Sequence, residues 1–186
     1  MKALLIDHDD SFTHNLRHWL SPGFRDVCVV HHLKVTTDMV SDYDFIALSP
    51  GPKSPSDYPH SLELLKSVPN NKPVFGVCLG MQMMVHCEGG TILPYSPPLH
   101  GKTSLLKVSA PELASVADIK VARYHSLCCR PDAGNFRVTA YSVPDDVPMC
   151  IEHKTKKWLG FQFHPESFLT ENSALIFNLV ITWAKS

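Results

Sequence analysis

Pro73-Val74-Phe75-Gly76-Val77-Cys78-Leu79-Gly80-Met81-Gln82-Met83-Met84-Val85-His86-Cys87, closed by Gly89-Gly90, is the stretch that decides the fold. Residues 73–77 form an apolar run too short for a helix and suited to a buried strand, whereas residues 79–87 read as a helix stopped by the glycine pair. Cys78 therefore falls on the turn between them, with a glycine two residues to either side. A side chain on such a strand-to-helix turn is exposed at the sheet edge, and the glycines permit close backbone approach and unusual φ. The helix N-terminus adds free N–H groups and a positive dipole end, which favour thiolate over thiol. By itself the pentapeptide is compatible with a nucleophile or with a small buried cysteine at a strand end.

Working outward, the same strand-then-helix unit recurs upstream. Residues 3–6 are an apolar run ending in acid and then Asp10-Ser11, a strand feeding a capped helix. Phe12, Leu16, Trp19 and Leu20 mark that helix's inner face, and Ser21-Pro22-Gly23 stops it. Residues 27–30 and 45–48 are further short buried strands. Residues 49–60, with four prolines and one glycine, form a loop, and a helix with Leu62, Leu65 and Val68 inside follows. Strand–helix alternation over the first 90 residues predicts a mostly parallel sheet with helices on both faces. Beyond it the pattern becomes β-rich, at 104–108, 120–124, 136–141, 149–152 and 158–163, predicting antiparallel additions to the same sheet or a small flanking sheet. A last helix over 172–184 is expected to bury Leu175, Ile176, Leu179, Val180 and Trp183. The expectation is one α/β domain over residues 1–186.

Composition narrows the function. Lys and Arg number 17 against 18 Asp and Glu, a formal charge of −1. Nucleic acid is therefore not an expected partner, because phosphate binding needs a basic balance. No apolar run approaches the roughly 18 residues of a membrane span, and the N-terminus meets acid too early for a signal peptide. The six cysteines (28, 78, 87, 128, 129 and 150) contain no C-x-x-C pair, which points to free thiols in a reducing, cytoplasmic setting. Adjacent His31 and His32 are read as pointing to opposite faces, and no zinc or phosphate-loop motif is present, so no metal or cofactor is expected.

A cysteine nucleophile needs a base. In Phe161-Gln162-Phe163-His164-Pro165-Glu166-Ser167 the alternation places His164 at a strand's C-terminal end, where α/β active sites gather. Along extended chain, i and i+2 point the same way, so Glu166 can hold the His164 ring. The order is then Cys–His–Glu. The loop Ser49-Pro50-Gly51-Pro52 ends a strand at the same edge, where the N–H groups of Gly51 and Leu79 can face an oxyanion.

These blocks, in order along nearly the whole chain with Asp10-Ser11-Phe12-Thr13, His100-Gly101-Lys102 and Arg123-Tyr124-His125-Ser126-Leu127, resemble the class I (triad-type) glutamine amidotransferases. The nearest likeness is to the small glutaminase subunits of anthranilate and aminodeoxychorismate synthases. The resemblance implies a flavodoxin-like architecture and hydrolysis of L-glutamine through a thioester on Cys78, with His164 and Glu166 as partners. Gly51, Gln82, Ser126 and Leu127 would bind glutamine, with no cofactor in this subunit. Ammonia would pass to a chorismate-utilising synthase subunit of the tryptophan or folate branch, itself magnesium-dependent in such families. The length leaves no room for a fused synthase, so a heteromer is expected. A silent partner-binding module and a stand-alone γ-glutamyl hydrolase are the alternatives.

Four positions depart from the family pattern. Met81 replaces a histidine beside the elbow, Lys53 replaces the last glycine of S-P-G-P-G, and His8-Asp9 stand where Asn and Tyr are usual. Met81 is expected to affect packing rather than the nucleophile. Lys53 either accepts φ > 0 at about 1 kcal/mol, or shifts the loop and the oxyanion donors with it.

Overall fold

The structure, a computed structural model, describes residues 1–186. Runs of apolar residues without polar alternation make strands buried on both faces, and the first half has four: β1 (Lys2–Asp7), β2 (Asp26–His31), β3 (Phe45–Leu48) and β4 (Val74–Val77). All four are parallel. The helices between them are α1 (Thr13–Leu20), α2 (Thr37–Ser41) and α3 (Pro59–Ser67); α4 (Leu79–Cys87) follows β4. Side chains alternate across the sheet as period 2 requires. Ala3, Leu5, Phe75 and Val77 enter one core with α1 and the C-terminal helix, while Leu4, Ile6 and Val74 enter the other with α3 and α4. Each such side chain taken fully out of water contributes about 1.5–3 kcal/mol.

The second half extends this sheet. β6 (Lys102–Val108), β7 (Lys120–Arg123), β9 (Phe136–Val143) and β10 (Pro148–His153) are antiparallel additions, and β11 (Trp158–Phe161) turns back parallel to β4. The nine-stranded order is β2-β1-β3-β4-β11-β10-β9-β6-β7. β5 (Thr91–Pro94) and β8 (Leu127–Arg130) form a separate two-stranded sheet. Both expected forms of β addition are thus present. α5 (Ser173–Lys185) closes the fold. No helix is long and apolar enough to cross a membrane.

Two expectations need correction. Leu175 is 43% exposed, because α5 turns Ile176, Val180, Ile181 and Ala184 inward and leaves Leu175 off that stripe. The strand before His164 stops at Phe161, not Phe163; His164 joins the sheet by one bridge, its N–H donating to the Ala122 carbonyl at 3.0 Å.

Candidate active site

β4 ends at the sheet's C-terminal edge and α4 starts two residues later, so Cys78 alone makes the turn. It adopts φ 53°, ψ −102°, a conformation that costs a non-glycine residue on the order of 1–3 kcal/mol. Its N–H donates to the Phe161 carbonyl at 2.7 Å, and its carbonyl accepts from Gln82 N–H at 3.1 Å. The flanking glycines serve packing. A Cβ on Gly76 would lie 2.5 Å from the Gly80 carbonyl carbon, and one on Gly80 2.6 Å from the Leu48 oxygen. The positive φ therefore belongs to the cysteine itself, not to the glycines beside it.

His164 and Glu166 meet as the spacing predicts, with Nδ1 2.7 Å from Oε1 and both side chains buried. Burial opposes charge on His164, but the Glu166 carboxylate and the Cys78 sulfur outweigh it and hold the imidazole well above its ordinary pKa. The rings of Phe12 and Tyr124 pack on it at centroid distances of 5.5 and 5.0 Å. With Nδ1 engaged, Nε2 is left buried and without a hydrogen-bond partner.

The Pro-rich loop packs against the Cys78 turn. A Cβ on Gly51 would sit 2.4 Å from Leu79 Cδ2 and 2.9 Å from the His8 backbone oxygen, which cannot give way as a side chain can, and neither Gly51 N–H nor Leu79 N–H donates to a protein acceptor. Lys53 takes φ 67°, so the loop holds its course and the lysine carries the strain. His8 anchors the loop: its N–H donates to Ser49 Oγ at 2.9 Å, and its Nε2 lies 3.0 Å from Ser61 Oγ. Burial and the neighbouring His32 lower His8 to about 3, so it is neutral. Met81 is fully buried and packs where a Cβ on Gly160 would come within 2.9 Å of its Cγ.

A cleft of about 500 Å³ is lined by Cys78, Gly51, Gln82, Ser126 and Leu127, among others. All the residues expected to contact glutamine thus share one wall system with the cysteine. A cavity of about 420 Å³ between α5 and the antiparallel strands has one thiol, Cys150, which burial pushes up to about 12. Burial also raises Cys87, Cys128 and Cys129.

Sequence reasoning missed a hydrogen-bonded line behind the cleft. Arg123, buried, is gripped by Asp145 at 2.9 and 3.1 Å, and its Nε donates to His125 Nε2 at 3.0 Å. That fixes the tautomer, so His125 Nδ1–H donates to the Leu127 carbonyl at 2.9 Å. Gln82 Nε2 donates to the same carbonyl at 3.2 Å and to Gln162 Oε1 at 3.1 Å; Gln162 Nε2 then faces Cys78 Sγ at 3.5 Å. The available signal was Gln162, a polar residue between two phenylalanines at a position of full burial.

His31 and His32 do not point to opposite faces. β2 ends at His31 and a 3₁₀ turn starts at His32, so strand alternation fails there, and the two rings lie 4.5 Å apart.

A thiol strained onto a strand-to-helix turn, a buried His–Glu pair and a glycine loop at one edge of a parallel sheet define the architecture of a cysteine-dependent amidotransferase. The family model for glutamine amidotransferase class-I matches residues 4–183, and the chain belongs to that family. It is 39% identical over 183 residues to anthranilate synthase component 2 of Halobacterium salinarum, covering 91% of each chain. It is 34% identical over 189 residues to aminodeoxychorismate/anthranilate synthase component 2 of Bacillus subtilis, covering 98% of this chain and 97% of that one. The fold matches a solved glutamine amidotransferase of Thermotoga maritima at TM-score 0.78 and 14% identity, over 100% of this chain and 99% of that one.

Proposed function

We propose that the chain is a glutaminase subunit that releases ammonia from L-glutamine for a chorismate-utilising synthase subunit. The observation that carries it is the strained Cys78 beside the buried His164–Glu166 pair. Cys78 Sγ attacks the side-chain amide carbon of glutamine, and the N–H groups of Gly51 and Leu79 take the charge that develops on its oxygen. His164, oriented by Glu166, takes the thiol proton and returns it to the leaving nitrogen, so ammonia departs and a γ-glutamyl thioester remains. Water, deprotonated by the same ring, then cleaves the thioester to glutamate and free thiol.

The cleft residues have matching roles. Gln82 spends its amide N–H groups on Leu127 and Gln162, which leaves its oxygen as an acceptor for substrate. Gln162 Nε2 donates toward the sulfur and so helps to orient it. Ser126 and Leu127 close the other side. Phe168, 91% exposed immediately after the His–Glu segment, is an apolar contact for the synthase subunit. The six free thiols fit a cytoplasmic setting.

Glutamate release in the presence of each candidate synthase subunit tests the reading. Cys78→Ser is expected to lower glutamine turnover about 10⁴-fold or more while ammonia-dependent synthesis by the partner continues. Retained turnover in Cys78→Ser sinks the proposal. The aromatic amine formed, anthranilate or 4-amino-4-deoxychorismate, identifies the branch served.

A further inference from the structure

Along the edge of the parallel sheet β1 and β2 run in register, with Asp7 opposite His31. Both chains then leave regular structure. Asp9 takes φ 61°, and the chain after His31 enters a 3₁₀ turn at His32. Asp9 Oδ1 comes to lie 3.0 Å from His31 Nε2, and Oδ2 3.7 Å from His32 Nε2. One ligand-type atom from each residue lies within 4.8 Å of the others, the one place in the chain where three such side chains converge.

We propose that Asp9, His31 and His32 bind a single divalent transition-metal ion of the zinc class. Two imidazole nitrogens and one carboxylate oxygen suit zinc, copper, nickel or cobalt, whereas magnesium and calcium favour all-oxygen sites. Tetrahedral bonds of ~2.0–2.1 Å place ligand atoms roughly 3.4 Å apart. The three side chains thus need close by only about an ångström. Three protein ligands leave the remaining position to water.

The surroundings hold part of the set in place. His32 is buried, stacked on His8 at 5.5 Å and edge-on to Tyr58 at 5.0 Å, and its Nδ1 has no hydrogen-bond partner. His31 is half-buried, its Nδ1 accepting from Leu33 N–H over a long 3.3 Å. Coordination through Nε2 moves the His31 proton to Nδ1, where it exchanges this weak bond for water. Asp9 also lines the cleft that contains Cys78, so the ion sits on its rim. The glutaminase chemistry uses none of the three residues, and the site stands or falls separately from it.

The test is a cobalt(II) titration of the full chain with Cys78 carboxymethylated, so that its thiol does not compete. One equivalent is expected to bind saturably and give visible ligand-field bands without sulfur-to-cobalt charge transfer. His31→Ala and Asp9→Asn are each expected to weaken binding roughly tenfold or more, and asparagine keeps the positive φ accessible. Titrations of both variants that overlay the parent's, or no saturable uptake by the parent, overturn the site. Zinc added to the unsubstituted chain supplies a variant-free check: imidazole resonances of His31 and His32 shift with one equivalent, and their failure to move overturns it equally.

Discussion

The two halves of the sheet build the active site by different means. The parallel half positions it with backbone: Asp9, Lys53 and Cys78, in the connections that follow β1, β3 and β4, all hold φ near +60° without being glycine. The second half positions it chiefly with side chains, through the line from Asp145 and Arg123 by way of His125 and the Leu127 carbonyl to Gln82 of α4 and Gln162, and so to the sulfur. Backbone strain fixes where the Cys78 thiol sits. The hydrogen-bonded line, anchored on an arginine that can only donate, fixes which way each amide faces. The two devices should fail differently when disturbed.

The largest expected effect falls on the side-chain half. Arg123→Met leaves Asp145, held far below its usual range against burial by Arg123, Ser142 and Tyr95, without its cation but still reached by solvent, and is expected to cost about 1.5–3 kcal/mol. Denaturant unfolding measures it, and a loss under about 1 kcal/mol would show that Ser142 and Tyr95 suffice. Acid comes next. Burial, then Arg123, lowers His125 to about 4, and His8 lies near 3. Unfolded, both titrate near ~6.5, so below that pH the unfolded chain binds more protons and stability falls as pH falls. The slope is about 2–3 kcal/mol per pH unit for the two together. His164, raised in the fold, acts oppositely: its contribution is complete below ~6.5 and fades as pH rises through its folded pKa. Thermal melts across pH should therefore drop most steeply on the acid side, and a flat acid limb would refute the neutral histidines.

Smaller effects probe the backbone half. Gly80→Ala drives a methyl against the Leu48 backbone and Cβ and is expected to cost about 1–3 kcal/mol, with turnover falling further than stability because α4 carries the elbow. Equal losses in both would show the elbow moving as a rigid unit. Lys53→Gly releases the strain at φ 67° and should stabilise the chain by up to about 1 kcal/mol, read as a raised melting temperature with glutamine turnover essentially unchanged.

Most of the fold was readable because period 2 and period 3.6 repeat cleanly in the first 90 residues, and Gly89, at φ 79°, follows α4 as expected. The His–Glu pair was readable from its i, i+2 spacing, although the chain there is a turn, closed by Ser167 N–H on the His164 carbonyl at 3.3 Å, and not the extended chain the reading assumed. β5 and β8 were not, since Thr91–Pro94 and Leu127–Arg130 are four residues each and half-buried. α2 is a five-residue helix, capped by the Thr36 hydroxyl on Met39 N–H, too short for a periodic signal. The His31–His32 pair was misread because alternation was carried one residue past the end of its strand. The contacts of Gln162 went unread because its partners, Gln82 and Cys78, lie 80 and 84 residues away.

The pairing of β4 with β11, Val74 opposite Trp158 and Val77 opposite Phe161, also sets a timetable. As the chain leaves the ribosome, β1 to β4 can assemble while β4 still presents an open edge beside the nucleophile. The strand that covers it, and the Phe161 carbonyl that receives the Cys78 N–H, arrive more than 80 residues later. Contacts this distant in sequence form slowly, and an uncovered apolar edge invites pairing with the wrong strand. The Cys78 turn is thus among the last parts of the molecule to become native.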